Sequence, residues 1–126
     1  MSFVRLNEPN VSAEIFDNEV LMVNIITGRY YSIEGSSAIF MRFLLDGNSV
    51  EASIEKMIDI YSVDKNEAVE GLTRLVSELE IENLIVKDSS KSITNQGDWL
   101  SSADISSYSV PKLEIHSDME DLVLLS

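Results

Sequence analysis

Val11-Ser12-Ala13-Glu14-Ile15-Phe16-Asp17-Asn18-Glu19-Val20-Leu21-Met22-Val23-Asn24-Ile25-Ile26-Thr27-Gly28-Arg29-Tyr30-Tyr31-Ser32-Ile33 is the stretch on which the fold turns. Val11 to Phe16 alternates apolar and polar residues, the period of a half-buried strand. Asp17-Asn18 is a two-residue turn signal, since both residue types tolerate the positive φ of hairpin turns. Glu19 to Ile26, rich in Val, Ile and Leu, reads as a second strand. Thr27-Gly28 reads as the next tight turn and Arg29 to Ile33 as the third strand. With two tight hairpins, Ile15 faces Val20 and Ala13 faces Met22, while Met22 faces Ile33 and Asn24 faces Tyr31. The opposite face carries Leu21, Val23, Ile25 and Tyr30. A middle strand apolar on both faces is expected at the sheet centre, which leaves the first and third strands as edges with unpaired backbone groups.

Three helices follow. The first runs from about Ser37 to Asp46, with Ser36 or Ser37 as cap and Gly47 at a left-handed end. It is apolar nearly all round, so it is expected to be buried on most sides. The second starts from the cap Ser49 and carries Val50, Ile54, Met57, Ile58 and Tyr61 on one stripe. The third opens with Asp64-Lys65-Asn66-Glu67, a capping box in Asp form. Its stripe is Ala68, Leu72, Leu75 and Leu79, and Val69 and Val76 form an apolar shoulder beside it, with Thr73 and Glu80 just beyond. Leu84-Ile85-Val86 reads as a short wing strand. The plan is α+β and winged helix-turn-helix-like: a three-stranded antiparallel sheet, three helices, then a flexible C-terminal tail.

The chain has 126 residues, with 22 Asp and Glu against 9 Lys and Arg and a formal net charge of -13. A general phosphate-backbone binder needs Lys and Arg to displace counterions, so nucleic acid is a poor partner. The third helix makes the same point with Glu67, Glu70, Glu78, Glu80 and Glu82 against Lys65 and Arg74, which argues against a DNA-reading winged helix. Cys is absent and His116 is the one His. That removes thiolate chemistry, a Cys-based zinc site and a His–His pair. No Gly-rich phosphate loop is present. A non-enzymatic protein without cofactor or metal is expected. No apolar run approaches the roughly 20 residues of a membrane span, and Met1-Ser2-Phe3-Val4-Arg5 does not read as a signal peptide, so a cytoplasmic location is expected.

Three places together carry a family likeness. They are the hairpin Val20–Ile33, the small-residue entry Glu34-Gly35-Ser36-Ser37-Ala38, and the acidic helix pair around Tyr61-Ser62-Val63-Asp64. In this ordered combination, residues 10–87 resemble the PqqD family, the peptide chaperones of pyrroloquinoline quinone assembly and their relatives. Their fold is the RiPP recognition element, which binds leader peptides of ribosomally made, post-translationally modified peptides. Ile33-Glu34 stands where relatives often have Leu-Asn. The resemblance implies a leader peptide added as a strand on the third strand, in a groove walled by the last helix. The candidate lining is then Arg29, Tyr30, Tyr31, Ser32 and Ile33 on the strand, with Val69, Leu72, Thr73, Val76 and Glu80 on the helix. Main-chain pairing would supply affinity and side-chain pockets specificity. Arg29 would meet an acidic leader residue. The competing reading makes the tyrosines and valines core. A charge at Tyr31 or Val76 separates the two: lost binding with an intact fold marks groove, and lost folding marks core.

The remaining organisation is a domain over residues 1–87, a Ser-rich linker over 88–109 and a tail over 110–126. Tyr108-Ser109-Val110-Pro111-Lys112-Leu113 matches the Tyr-x-x-Pro-x-Leu pattern of lasso-peptide leaders, with Tyr108, Pro111 and Leu113 as anchors. Ser117 and Val123 depart from the fuller leader pattern, which commonly has Gly and Thr there. Three readings stand. The tail docks on its own domain, on a partner enzyme or on a neighbour in a swapped dimer; it is a leader-like segment joined to the domain; or it is disordered. A linker of about 20 flexible residues would span near 25 Å. Trp99-Leu100 is either a second anchor or an exposed linker pair. The carboxylates Glu114, Asp118, Glu120 and Asp121 read as a solvated run or as a mimic of leader charge, and His116 as a surface residue. The functional expectation is non-catalytic binding of a precursor's leader peptide and its presentation to a peptide-modifying enzyme or protease. The alternatives are an adaptor that docks a modifying enzyme without reading a leader and, behind it, the DNA-binding winged helix.

Overall fold

The computed structural model describes residues 2–88, 99 and 107–116. The elements in order are β1 (Phe3–Leu6), β2 (Val11–Phe16), β3 (Glu19–Asn24), β4 (Tyr30–Glu34), α1 (Ser36–Leu45), α2 (Val50–Tyr61), α3 (Lys65–Ile81), β5 (Ile85–Asp88) and β6 (Glu114–His116). The architecture is α+β with antiparallel strands throughout. The expected three-stranded sheet is present as β2-β3-β4, and the tail extends it to four strands as β6. A second, two-stranded sheet joins β1 to β5. Sequence reading missed β1, because four residues with the arginine Arg5 among them give too short an alternation. The strand expected at Leu84–Val86 is β5.

The first hairpin has the expected register, with Ile15 opposite Val20 and Ala13 opposite Met22. The second is offset by two residues: Met22 lies opposite Tyr31 and Val20 opposite Ile33. The cause is the turn. β3 ends at Asn24, and the chain makes a wider loop in place of the tight Thr27-Gly28 hairpin. Asn24 N–H donates to the Arg29 carbonyl at 2.9 Å. The buried Asn24 Oδ1 accepts from the N–H groups of Ile26 and Thr27 at 2.9 and 3.3 Å, and Gly28 takes φ 78°. An offset of two preserves the faces, because side chains alternate with period two. Val20, Met22, Tyr31 and Ile33 therefore still share the inner face, and all four are buried.

That face joins Ile39, Phe40, Met41 and Leu44 of α1 and Leu72, Leu75 and Leu79 of α3 in one core. Ser49 caps α2, accepting from Ala52 N–H at 3.0 Å, and Asp64 caps α3, accepting from Glu67 N–H at 3.1 Å. At α1 neither serine caps the helix. Gly35 occupies the cap position without a side-chain bond, and the Ser36 hydroxyl is engaged elsewhere, as described below. Gly47 ends α1 at φ 100°. Among the described residues no helix is long and apolar enough to cross a membrane. Of the expected linker, the structure describes Asp88, Trp99 and Ser107–Ser109. Leu100, Ser117, Asp118, Glu120, Asp121 and Leu122–Leu125 lie outside the described residues.

Asn24→Ala leaves two loop N–H groups without their acceptor. It should lower stability by roughly 1–3 kcal/mol, seen as a lower urea midpoint with an unchanged slope.

Candidate functional site

β4 is flanked by β3 on one side only within the β2-β3-β4 sheet, because the chain leaves it directly for α1. Its other edge would expose a row of backbone donors and acceptors. The tail fills that edge. Tyr30 pairs with His116, Tyr31 with Ile115 and Ser32 with Glu114, antiparallel. Upstream of these residues the segment crosses a groove bordered by the start of α1, the end of α2 and one flank of α3.

Four contacts fix it there. The Tyr108 ring meets Tyr61 edge-on, with centroids 5.7 Å apart. Ser109 N–H donates to the Ser36 hydroxyl at 2.9 Å, and the two hydroxyls lie 3.2 Å apart. Ser36, the first residue of α1, is thus engaged by the tail, while Gly35 holds the cap position and has no side chain to cap with. Pro111 is buried against Gly71. A Cβ at Gly71 would stand 3.0 Å from Pro111 Cδ, tighter than most real Cβ contacts, so the proline would have to give by a few tenths of an ångström. Arg74 Nη2 donates to the Pro111 carbonyl at 3.1 Å. Tyr108 and Leu113 also pack on the edge of the core.

At the far end Glu114 and His116 bracket Ser32. The Ser32 hydroxyl lies 3.3 Å from Glu114 Oε2 and 3.1 Å from His116 Nε2. The His116 ring stacks on Tyr30, with centroids 4.7 Å apart. Burial pushes the Tyr108 phenol above its ordinary pKa; the Glu67 carboxylate adds to this and Arg74 opposes it. Burial likewise raises Tyr31, helped by its bond to Glu82.

The sequence-predicted residues fall in four places. Tyr30 and Ser32 meet the tail with side chain and backbone, and Tyr31 pairs with it through its backbone. Tyr31, Ile33, Leu72 and Val76 are core; the Tyr31 hydroxyl donates to Glu82 at 3.0 Å. A charge at Tyr31 or Val76 therefore threatens the fold, and the two positions do not report on a groove. Arg29 pairs at 3.9 Å with Glu82 of its own chain.

Val69, Thr73, Val76 and Glu80 border a different depression of about 660 Å³, shared with Phe3, Val50 and Ile54. It lies along the opposite flank of α3 from the tail. The apolar shoulder drew attention to that flank, but the tail uses the flank marked by Gly71 and Arg74. These two, with Tyr61 and Ser36, hold the tail and were not among the lining residues singled out from the sequence. The available signal was Gly71 itself, because glycine inside a helix costs about 1 kcal/mol relative to alanine and needs a reason. Here the reason is the close approach of a proline.

Trp99 is a second anchor. Its ring lies 5.1 Å from that of Phe43, the Arg42 guanidinium carbon sits 4.1 Å above it, and its indole N–H donates to Asp46. Among the described residues no group of three His, Cys, Asp or Glu is arranged to hold a metal ion.

The four-stranded sheet packs on three helices, and the chain's own tail lies extended beside β4, crossing the groove between the helices. The sequence matches the family "Coenzyme PQQ synthesis protein D (PqqD)" over residues 19–85, just over half of the chain, and the protein belongs to that family. Two solved structures share the fold. One, "TbiB1 in Complex with the TbiA(beta) Leader Peptide", aligns with a TM-score of 0.61 and 20% identity, covering 68% of this chain and 99% of that one. The other, "Lasso peptide synthetase B1 complexed with the leader peptide", gives 0.59 and 23%, covering 66% and 96%. No curated protein sequence matches.

Gly71→Ala tests the groove. The substitution favours α3 by about 1 kcal/mol through helix propensity but crowds Pro111, an overpacking cost of about 1–3 kcal/mol. Tryptic cleavage after Lys112 should accelerate while the melting temperature of the domain holds or rises. Alkaline pH provides a second test. The docked pKa of Tyr108 lies above the free value of about 10, so docking is complete below that value and is lost as pH rises through the raised one. Tyr108→Phe should extend protection of Lys112 to higher pH than the wild type.

Proposed function

We propose that the protein binds the leader peptide of a ribosomally made precursor as an added strand on β4 and presents that precursor to a peptide-modifying enzyme or protease, performing no chemistry itself. The observation that supports this most directly is an extended peptide segment seated on β4 with its proline in the Gly71 notch. It supports a ligand of the same kind: an extended chain with a tyrosine three residues before a proline and a leucine two residues after it. Membership of the PqqD family and the fold shared with two proteins solved with leader peptides bound support the same reading. The lasso-type leader is the ligand class the groove fits best.

The energetics suit presentation. Main-chain pairing to β4 is independent of sequence, and Arg74 reads a carbonyl, so neither demands a particular side chain. Selection falls to the Tyr61 edge and the Gly71 notch. The strand residues Tyr30 and Ser32 supply outward contacts, and Arg29 is available beyond them to an acidic leader residue once it leaves Glu82. Val69, Thr73 and Glu80, on the other flank of α3, would serve the modifying enzyme rather than the leader.

The test is calorimetric titration of the full chain with a synthetic leader carrying Tyr-x-x-Pro-x-Leu. Binding should be saturable, and in a chain freed of its own tail anchors (Tyr108→Ser/Pro111→Ser/Leu113→Ser) Arg74→Ala should weaken it about ten-fold or more, the worth of a charge-assisted hydrogen bond. N-methylation of the leader residue that pairs with β4 should abolish it. A leader indifferent to both changes would defeat the strand-addition reading.

A further inference from the structure

The segment in the groove belongs to the protein itself, and that has a functional meaning. We infer that Tyr108–His116 is the resident occupant of the peptide site, and that an outside leader enters by exchanging with it. The inference rests on the leader reading for the identity of the incoming ligand, but the occupancy is argued independently from the chain's own contacts.

Four observations carry it. The segment makes a complete set of contacts: ring against Tyr61, backbone to Ser36, proline at Gly71, carbonyl to Arg74, strand on β4. It covers the β4 edge, which would otherwise be open to pairing with other chains. The groove has a residue that serves the domain poorly without an occupant, since Gly71 weakens α3. Lastly, Trp99 is fixed on α1 by Phe43, Arg42 and Asp46. It pins the connection between body and tail partway along, so the stretch that must find the groove is only the one from Trp99 to Tyr108.

Tethering turns modest contacts into high occupancy. A short connection gives an effective concentration around the millimolar range. An occupant with an intrinsic dissociation constant of about 0.1 mM then lowers the apparent affinity of an outside peptide about ten-fold. The threshold is selective. A peptide that merely pairs with β4 does not displace a segment that pairs equally well and is tethered. One that fills the tyrosine and proline positions better does.

The test compares the full chain with its Tyr108→Ser/Pro111→Ser/Leu113→Ser variant, which leaves every groove residue in place. The probe is a synthetic peptide of residues 107–116. The variant should bind it at least ten-fold more tightly than the wild type. Equal affinity for the two chains, or no binding by a variant that melts cooperatively, would overturn the inference. Hydrogen exchange on the wild type alone gives a second readout that no folding defect can confuse. Without added peptide, the β4 amides that face β6 should exchange slowly, and rapid exchange would refute occupancy. Sedimentation should show a monomer across the micromolar range; a dimer that falls apart in the triple variant would place the tail in a neighbour's groove instead. If a lasso-type leader fails on the triple variant while the 107–116 peptide binds, the leader reading falls and the occupancy stands.

Discussion

The unsatisfied margin of β4 is the constraint from which the rest of the molecule follows. A strand in a sheet offers hydrogen-bonding groups on both sides, and β4 can use only one of them for β3. Its inner side chains, Tyr31 and Ile33, are committed to the core, so the strand cannot turn away or move to hide its other side. The backbone groups there must be satisfied by water or by another extended chain. Among the described residues that margin is filled by the chain's own Glu114–His116, next to the α3 flank where Gly71 admits Pro111.

Much of this was legible in the residues. The alternation of Val11–Phe16, the Asp17-Asn18 turn and the apolar β3 gave the first hairpin in correct register. The caps Ser49 and Asp64 and the stripe Ala68-Leu72-Leu75-Leu79 gave two helices with their buried faces. Where reading failed, a longer-range interaction had outvoted a local signal. Thr27-Gly28 looked like a two-residue turn, but the buried side chain of Asn24 organises a wider loop and slides β4 by two positions. Ser36 looked like a helix cap because serine usually serves that purpose; the cap position falls one residue earlier, on Gly35, and the Ser36 hydroxyl meets Ser109, far away in sequence.

The place where the tail lies was legible only in part. The strand and the helix named for a groove are ones the tail touches, but the apolar shoulder Val69–Val76 was preferred over the Gly71–Arg74 flank that receives it. The preference is physically understandable. Valines advertise an apolar surface, whereas a glycine advertises only a missing side chain. A peptide carrying proline needs the second more than the first. Trp99 shows the same limit from the other side: nothing local distinguishes an anchored aromatic from a stray one, because its partners Arg42, Phe43 and Asp46 sit on a helix more than fifty residues earlier.

That tryptophan has a practical consequence. It is the only indole in the chain, nearly closed off from solvent, and it lies under a guanidinium on the connection that leads to the groove. Its emission colour is therefore a native gauge of whether that connection lies flat against the body or has peeled away, readable in dilute solution without any attached dye.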